Sequence, residues 1–221
     1  MIDKRRVCKK MKIEVWSDYV CPFCYIGKRR LEEAIESTGL GDKVEVVFKA
    51  YELDPNSPKT SEKTMTEVLA EKYNSSLEEA KNMTGNVVEQ AKTVGLSYDF
   101  ENLRPANTFD AHRLAKLAEQ EGLGDEIAEQ LLKSYFVEAK EIGTHEELLK
   151  VADEVGVSAE RAKQVLESDE FAADVKKDIE EAGQIGVQGV PFFVIDRKYA
   201  ISGAQPAETF ANALQKAFEE A

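Results

Sequence analysis

The strand-forming segments of this chain lie at its two ends, and the long stretch between them reads as helix. Residues 12–17 alternate with a period of two, Ile13 and Val15 on one side and Glu14 and Trp16 on the other. Val44-Glu45-Val46-Val47-Phe48 is rich in β-branched residues and reads as a second strand. Between them, Ile26, Leu31, Ala34 and Ile35 recur at helical spacing, and Thr38-Gly39 ends the helix. A crossover of that length suits a parallel pair of strands. No convincing strand follows until Phe192-Phe193-Val194-Ile195, which turns through Asp196-Arg197-Lys198 into Tyr199-Ala200-Ile201-Ser202. A last helix opens at Pro206, with Phe210, Leu214 and Phe218 as its apolar face. The order is βαβ, then helices, then ββα, so the end blocks are expected to share one sheet and to carry the middle as an insertion.

The middle, residues 62–182, has its own punctuation. Ser76-x-x-Glu79 and Thr144-x-x-Glu147 are capping-box patterns. Ala80, Met83, Val87, Ala91 and Val94 form the stripe of one predicted helix; others are predicted near 109–121, 125–140, 159–167 and 169–183. These stripes suit a helical core better than a binding groove.

A formal net charge of −13 argues against a nucleic-acid partner, because such a surface repels phosphate backbones. No apolar run approaches the ~20 residues needed to cross a bilayer. The basic start (Lys4, Arg5, Arg6, Lys9, Lys10) is followed by an alternating, charged strand pattern and not by the apolar region of a secretory signal. Residues 1–11 therefore read as a disordered leader, and a cytoplasmic location is expected. Three cysteines are too few, and odd in number, for a disulfide-stapled scaffold. Cys8 lies in the leader and is given no role.

The other two cysteines carry the chemistry. Cys21-Pro22-Phe23-Cys24 stands where the strand pattern gives way to the helix pattern, with Pro22 suited to the first helical position. Cys21 is then expected at or just before the helix N-cap and Cys24 one turn inside. The unpaired N–H groups of a first turn, with the positive end of the helix dipole, favour a thiolate there. Cys21 is the candidate attacking thiol and Cys24 the resolving one. Half of a zinc site is the main alternative, but only His112 and His145 remain as further ligands, both in distant helical sequence. A purely structural disulfide would close too short a loop to stabilise much. Strand, C-x-x-C and helix, with the βαβ…ββα order, predict an α/β chain: a thioredoxin-like fold with a large inserted all-helical domain, divided as 12–61 and 183–221 against 62–182. In such a fold the bond Val190-Pro191 is expected to be cis, with Pro191 packed on the dithiol and the Val190 backbone free to pair with an extended substrate.

Three stretches carry a family resemblance: Trp16-Ser17-Asp18-Tyr19-Val20-Cys21-Pro22-Phe23-Cys24-Tyr25-Ile26-Gly27, Arg104-Pro105-Ala106-Asn107-Thr108-Phe109-Asp110-Ala111-His112-Arg113, and Gly186-Val187-Gln188-Gly189-Val190-Pro191-Phe192-Phe193. On these the chain, from about residue 11 to 221, resembles the DsbA family, and within it the FrnE-like branch. The resemblance implies disulfide oxidoreductase or isomerase activity, with Cys21 attacking, Cys24 resolving and Pro191 as the cis proline. It implies no required cofactor. Exported DsbA proteins commonly have His between the cysteines, whereas Phe23 cannot carry a charge. Kappa-class glutathione transferases and hydroxychromene-carboxylate isomerases are also similar around Asn107–Arg113, but typically have one serine where Cys21 stands. A glutathione-dependent transferase or isomerase, and a non-enzymatic chaperone-like binder, are the alternative readings. Disulfide- or thiol-containing proteins are the expected partners, with glutathione compatible as a redox partner, and the chain is expected to be a monomer or homodimer.

Other residues are weighed as follows. Pro22, Phe23 and Val190 are candidate substrate contacts beside the dithiol. Asn107 reads as a cap-region residue, with a substrate contact implied only by the resemblance. His112 reads as a helix-packing histidine that could also reach the site. Glu14 is expected to face solvent, the alternative being a buried proton relay to Cys24. Trp16 suits either the core or an apolar surface beside the thiols.

Overall fold

The computed structural model describes residues 10–220. The leader up to residue 9, with Cys8, lies outside the described residues. Strand β1 (Met11–Ser17) runs into helix α1 (Pro22–Thr38), and β2 (Val44–Ala50) follows. Helices α2 (Met65–Lys72), α3 (Leu77–Lys92), α4 (Phe109–Gln120), α5 (Gly124–Phe136), α6 (His145–Glu154), α7 (Ala159–Leu166) and α8 (Ala172–Gln184) all precede the hairpin β3 (Phe192–Ile195) and β4 (Tyr199–Ser202). Helix α9 (Ala207–Glu219) closes the described chain. The sheet order is β2-β1-β3-β4; β1 pairs parallel with β2 and antiparallel with β3. This is the thioredoxin-like sheet with helices inserted between β2 and β3.

Strand β1 is central, and both its faces are covered. Ile13 and Val15 pack with Phe193 and Ile195 against Leu31 and Ala34 of α1 and Phe210, Leu214 and Ala217 of α9. On the opposite face Trp16 is fully buried with Val194, Val187 and Ala182 of α8. Its Nε1–H donates to the Asp178 carbonyl at 2.9 Å. This double burial corrects the reading of Glu14. It does not face solvent: it is 3% exposed, its carboxylate held by Arg197, with Lys12 at 3.8 Å. A charge on a two-sided strand must be paired, and Arg197 reaches it from the β3–β4 turn.

Two stripe assignments shift. Met83 is 40% exposed and Thr84 takes the inner position on α3; on α9 Phe218 is 45% exposed and Ala217 faces the core. In each case the residue one step away completes the i, i+4, i+7 face more closely. Helix α2 has no counterpart among the helices predicted from sequence, although Thr64 and Glu67 form a full capping box at its start. The helix predicted to run to 140 ends at Phe136, and Pro206 is an N-cap, one position before the first helical residue.

The inserted helices share one core with α1. Cys21, Cys24, Tyr25 and Ile26 pack with Leu103, Leu114, Leu131 and Phe136 in a single cluster. Polar groups fix the same contact. Lys28 is 3% exposed and sits 3.2 Å from Asp125 and 3.1 Å from Glu129 of α5, and pairs with Glu32. On the other side of the sheet Asp178 of α8 accepts from Lys49 at 3.0 Å and from the Ala50 amide at 3.0 Å, and pairs with Lys116 of α4 at 2.7 Å. Burial alone would raise the Asp178 carboxyl; Lys116, the Ala50 amide and Lys49 outweigh it and hold the group below its ordinary value.

Two outcomes follow from this packing. A Cβ on Gly27 would lie 3.0 Å from Pro191 Cγ and 3.1 Å from Phe193 Cζ, both buried and neither flexible. Gly27→Ala is therefore expected to lower stability in urea by about 1–3 kcal/mol; an unchanged midpoint would contradict this packing. Because Asp178 is depressed in the folded state, its contribution is complete above the ordinary carboxylate range and is lost as pH falls through the lower folded value. The wild type should therefore lose more stability than Asp178→Asn between about pH 5 and pH 2, and equal acid slopes would refute the assignment.

Candidate active site

Cys21 is the N-cap of α1, with extended backbone (φ −93°, ψ 112°), and Pro22 follows in the first turn. The turn that delivers it is closed by the Cys21 amide donating to the Asp18 carbonyl at 3.1 Å and the Cys24 amide to the Cys21 carbonyl at 3.0 Å. Both cysteines are free thiols. Both are buried, Cys21 4% and Cys24 3% exposed, so exposure does not tell them apart. Their partners do. Cys21 Sγ donates to the Val190 carbonyl at 3.4 Å, across 169 residues of sequence. Cys24 Sγ accepts from the Asp18 amide at 3.5 Å. Burial pushes the Cys24 thiol well above its ordinary value and the adjacent Cys21 sulfur adds to this; hydrogen bonds from the Ser17 hydroxyl and Asp18 amide oppose the shift without cancelling it.

The Val190-Pro191 bond is cis. Pro191 is buried against Gly27, and its carbonyl accepts the Gly203 amide at 2.8 Å. Val190, half-buried, brings its carbonyl to Cys21. Phe23 is 36% exposed beside the dithiol. The Pro22 carbonyl accepts a hydrogen bond from the Tyr98 hydroxyl at 2.7 Å.

The remaining candidates lie elsewhere. The Asn107 amide group is engaged internally, donating to the Pro55 carbonyl and accepting from the Phe109 amide, both at 3.1 Å. It braces the start of α4 against the loop after β2. His112 is buried, its ring 4.7 Å from that of Tyr19 and its Nε2–H donating to the Tyr51 carbonyl at 3.0 Å. Its Nε2 is also 3.5 Å from Asp18 Oδ1. His145 pairs with Asp110 and takes no part in the site. Trp16 is core.

Sequence reasoning missed Asp18 and Tyr98. Asp18 is fully buried; Oδ2 accepts the Leu53 amide at 2.7 Å, while Oδ1 has no hydrogen-bond partner. An acid set in an apolar turn three residues before Cys21 was a usable signal. Nothing local distinguishes Tyr98 in its loop sequence. Glu52, half-buried nearby, has its carboxyl raised by burial, drawn back by His112 and raised again by Asp18.

The dithiol thus lies at a helix N-terminus, opposite a cis proline and packed against the inserted helices. The chain belongs to the DSBA-like thioredoxin domain family. The family model matches residues 12–215. Among solved structures, this DSBA-like protein is similar to a probable DsbA oxidoreductase, SCO1869, from Streptomyces coelicolor: 39% identity, coverage of 96% of this chain and 91% of that one, and a TM-score of 0.89. It is 28% identical over 204 residues to the Bacillus subtilis protein YwbO, covering 91% of this chain and 94% of that protein. It also shares its fold with the cytosolic disulfide reductase DsbM from Pseudomonas aeruginosa, solved with GSH, at 15% identity, 94% and 99% coverage and a TM-score of 0.67. Among the described residues no helix is long and apolar enough to cross a membrane.

The two sulfurs should differ in reactivity even when separated. In Cys21→Ser, burial, the larger cause of the raised Cys24 thiol, survives the substitution. Cys24 should then react with iodoacetamide at neutral pH at least ~100-fold more slowly than an exposed thiol. Labelling at the rate of a free cysteine, followed by mass spectrometry, would refute its enclosure.

Proposed function

We propose that this DSBA-like protein is a thiol–disulfide oxidoreductase that exchanges the Cys21–Cys24 dithiol with disulfides of proteins or small molecules. The observation that supports this most is the unlike setting of the two thiols. Cys21 is the helix N-cap and faces the backbone of Val190; Cys24 sits one turn inside, buried and held as a thiol.

In the reductive direction Cys21 attacks as thiolate on one sulfur of the substrate disulfide. The substrate S–S bond breaks, a Cys21–substrate disulfide forms, and the released sulfur takes the electron pair and a proton. Cys24 then gives up its proton and attacks the Cys21 sulfur. The mixed disulfide breaks, the Cys21–Cys24 bond forms, and the second substrate sulfur leaves with its electron pair and takes up a proton. Two electrons and two protons pass from the dithiol to the substrate; the reverse sequence oxidises a substrate dithiol. Val190 offers backbone to an extended substrate segment beside Cys21, Pro191 holds that segment against α1, and exposed Phe23 supplies an apolar contact for loosely folded chains.

The reading extends to the FrnE-like branch, to a cytoplasmic location and to glutathione as small-molecule partner, as in the DsbM structure solved with GSH. Glutathione is the thiol pool against which a cytoplasmic dithiol would be poised.

Equilibration in glutathione buffers with alkylation trapping tests the function. The wild type should show a reversible Cys21–Cys24 couple, Cys24→Ser should accumulate a mixed disulfide at Cys21, and Cys21→Ser should lose exchange activity. The absence of a reversible couple would refute the dithiol reading. Full turnover in Cys24→Ser would point instead to a glutathione-dependent transferase or isomerase. Function that survives loss of both thiols would point to a binding protein.

A further inference from the structure

We propose that Tyr98, supplied by the inserted helical segment, is a positioning residue of the redox centre that acts on Cys21 through the Pro22–Phe23 peptide. The inference rests on the reading of Cys21 and Cys24 as an exchange dithiol.

Tyr98 lies in the loop between α3 and α4, far in sequence from the thiols, yet its hydroxyl donates to the carbonyl of Pro22 at 2.7 Å. Its ring is 7% exposed and stacks with Phe136 (centroids 4.7 Å apart) and Tyr25 (6.2 Å apart), so the hydroxyl has little freedom to leave. Pro22 is the first residue of α1, and its carbonyl is already the acceptor for the helix's own i+4 amide. The phenol is therefore an added donor that the helix does not need for its own hydrogen bonding.

A donor on a carbonyl polarises the whole peptide unit. The N–H end of that unit belongs to Phe23, at the second helical position, whose amide has no acceptor within the helix. An N-cap side chain is placed to receive such a first-turn amide, and the N-cap here is Cys21. As a thiol, Cys21 donates to the Val190 carbonyl. As a thiolate it has no proton to donate, and an acceptor at the N-cap takes its donors from the first-turn amides. Tyr98 thus strengthens the donor that the ionised sulfur needs. The titratable and charged groups that face Tyr98 are Cys21, Cys24, Tyr25 and Arg29, with Glu129 beyond the last two. Burial, then the Cys21 sulfur, Tyr25 and Cys24 hold the phenol far above its ordinary range, with Arg29 opposing, so the hydroxyl remains a donor throughout the working range of the thiols.

Tyr98→Phe keeps the ring and removes the donor. In the full-length protein, the alkylation rate of Cys21 at pH 6 should fall roughly threefold relative to wild type, while the rate at alkaline pH, where the thiol is fully ionised, stays the same. At alkaline pH, where the reduced form carries the thiolate, the equilibrium with glutathione should shift by about the same factor toward the Cys21–Cys24 disulfide, because the reduced form loses part of its stabilisation. An unchanged pH profile and equilibrium would overturn the inference and leave a bond that merely fastens the loop. An equal slowing at every pH would overturn it too, as a change of access. A wild type with no reversible couple would remove the dithiol reading beneath it, an outcome visible before any variant is compared. Should Tyr98→Phe not fold, the Tyr98 ring and Pro22 carbonyl ¹³C resonances of the wild type supply the answer. They should shift as Cys21 is titrated, and invariance through that titration would overturn the proposal.

Discussion

The first turn of α1 is held from three directions, and the rest of the molecule is arranged around that contact. Below it, β1 is clamped between β2 and β3, so the turn from Ser17 to Cys21 leaves a fixed strand end. From one side the β3 approach brings the Val190 carbonyl to Cys21 and Pro191 against Gly27. From the other, the inserted segment buries Cys24, Tyr25 and Ile26 against its helices and bonds the Pro22 carbonyl from the loop between α3 and α4. A helix start must find partners for amides that the helix cannot satisfy itself. Here the N-cap that could meet them is a cysteine, which contributes no side-chain cap bond while it remains a thiol.

The same three-sided enclosure makes the two sulfurs unequal. Each is nearly shut off from solvent, so access does not separate them; their hydrogen-bond partners do. Cys24 faces an amide and a hydroxyl, which lower it less than burial raises it. Asp18, whose amide meets Cys24, keeps one carboxylate oxygen without a hydrogen bond, with His112 Nε2 3.5 Å from it. These polar groups also tie the loop after β2 to the turn before Cys21, through Leu53 and Tyr51. The turn that carries the dithiol is therefore fixed at the helix start by a backbone carbonyl and a phenol.

Much of this was legible in the sequence, because local grammar and tertiary demand coincide where the chain crosses from β1 to α1. Strand alternation, Pro22 at the helix start and the hairpin around Asp196 placed the sheet and the cysteines. What misled was the assumption that alternation separates core from solvent. β1 is covered on both faces, so Glu14 and Trp16 are as buried as Ile13 and Val15, and the charge on Glu14 can only be identified as internal once Arg197 is seen to arrive from the far end of the chain. Met83 and Phe218 misled in the opposite way. Their size made them plausible core members, but the helix angle gives the inner position to Thr84 and Ala217. Asp18 could have been noticed as an acid amid apolar neighbours. Tyr98 could not, because its significance lies in a contact spanning 76 residues.

That contact bears on how members of this fold can differ while keeping the same two cysteines. The dipeptide between the sulfurs is the nearest place to adjust them, and here it is Pro-Phe, with no side-chain charge to offer. Whatever tunes Cys21 must then come through the backbone of the turn or from outside it. The backbone of the first turn is similar in any helix that begins this way, so it cannot by itself make one such protein differ from another. The groups that can are those reaching the turn from elsewhere: a carbonyl from before β3 and a phenol from the insert. The inserted segment supplies the second of these and helps to bury the turn, and in a water-poor enclosure each hydrogen bond counts for more than it would at a surface. On this view the insert is more than a cover over the sheet. It is the part of the chain in which the properties of the dithiol can change without altering the dithiol itself.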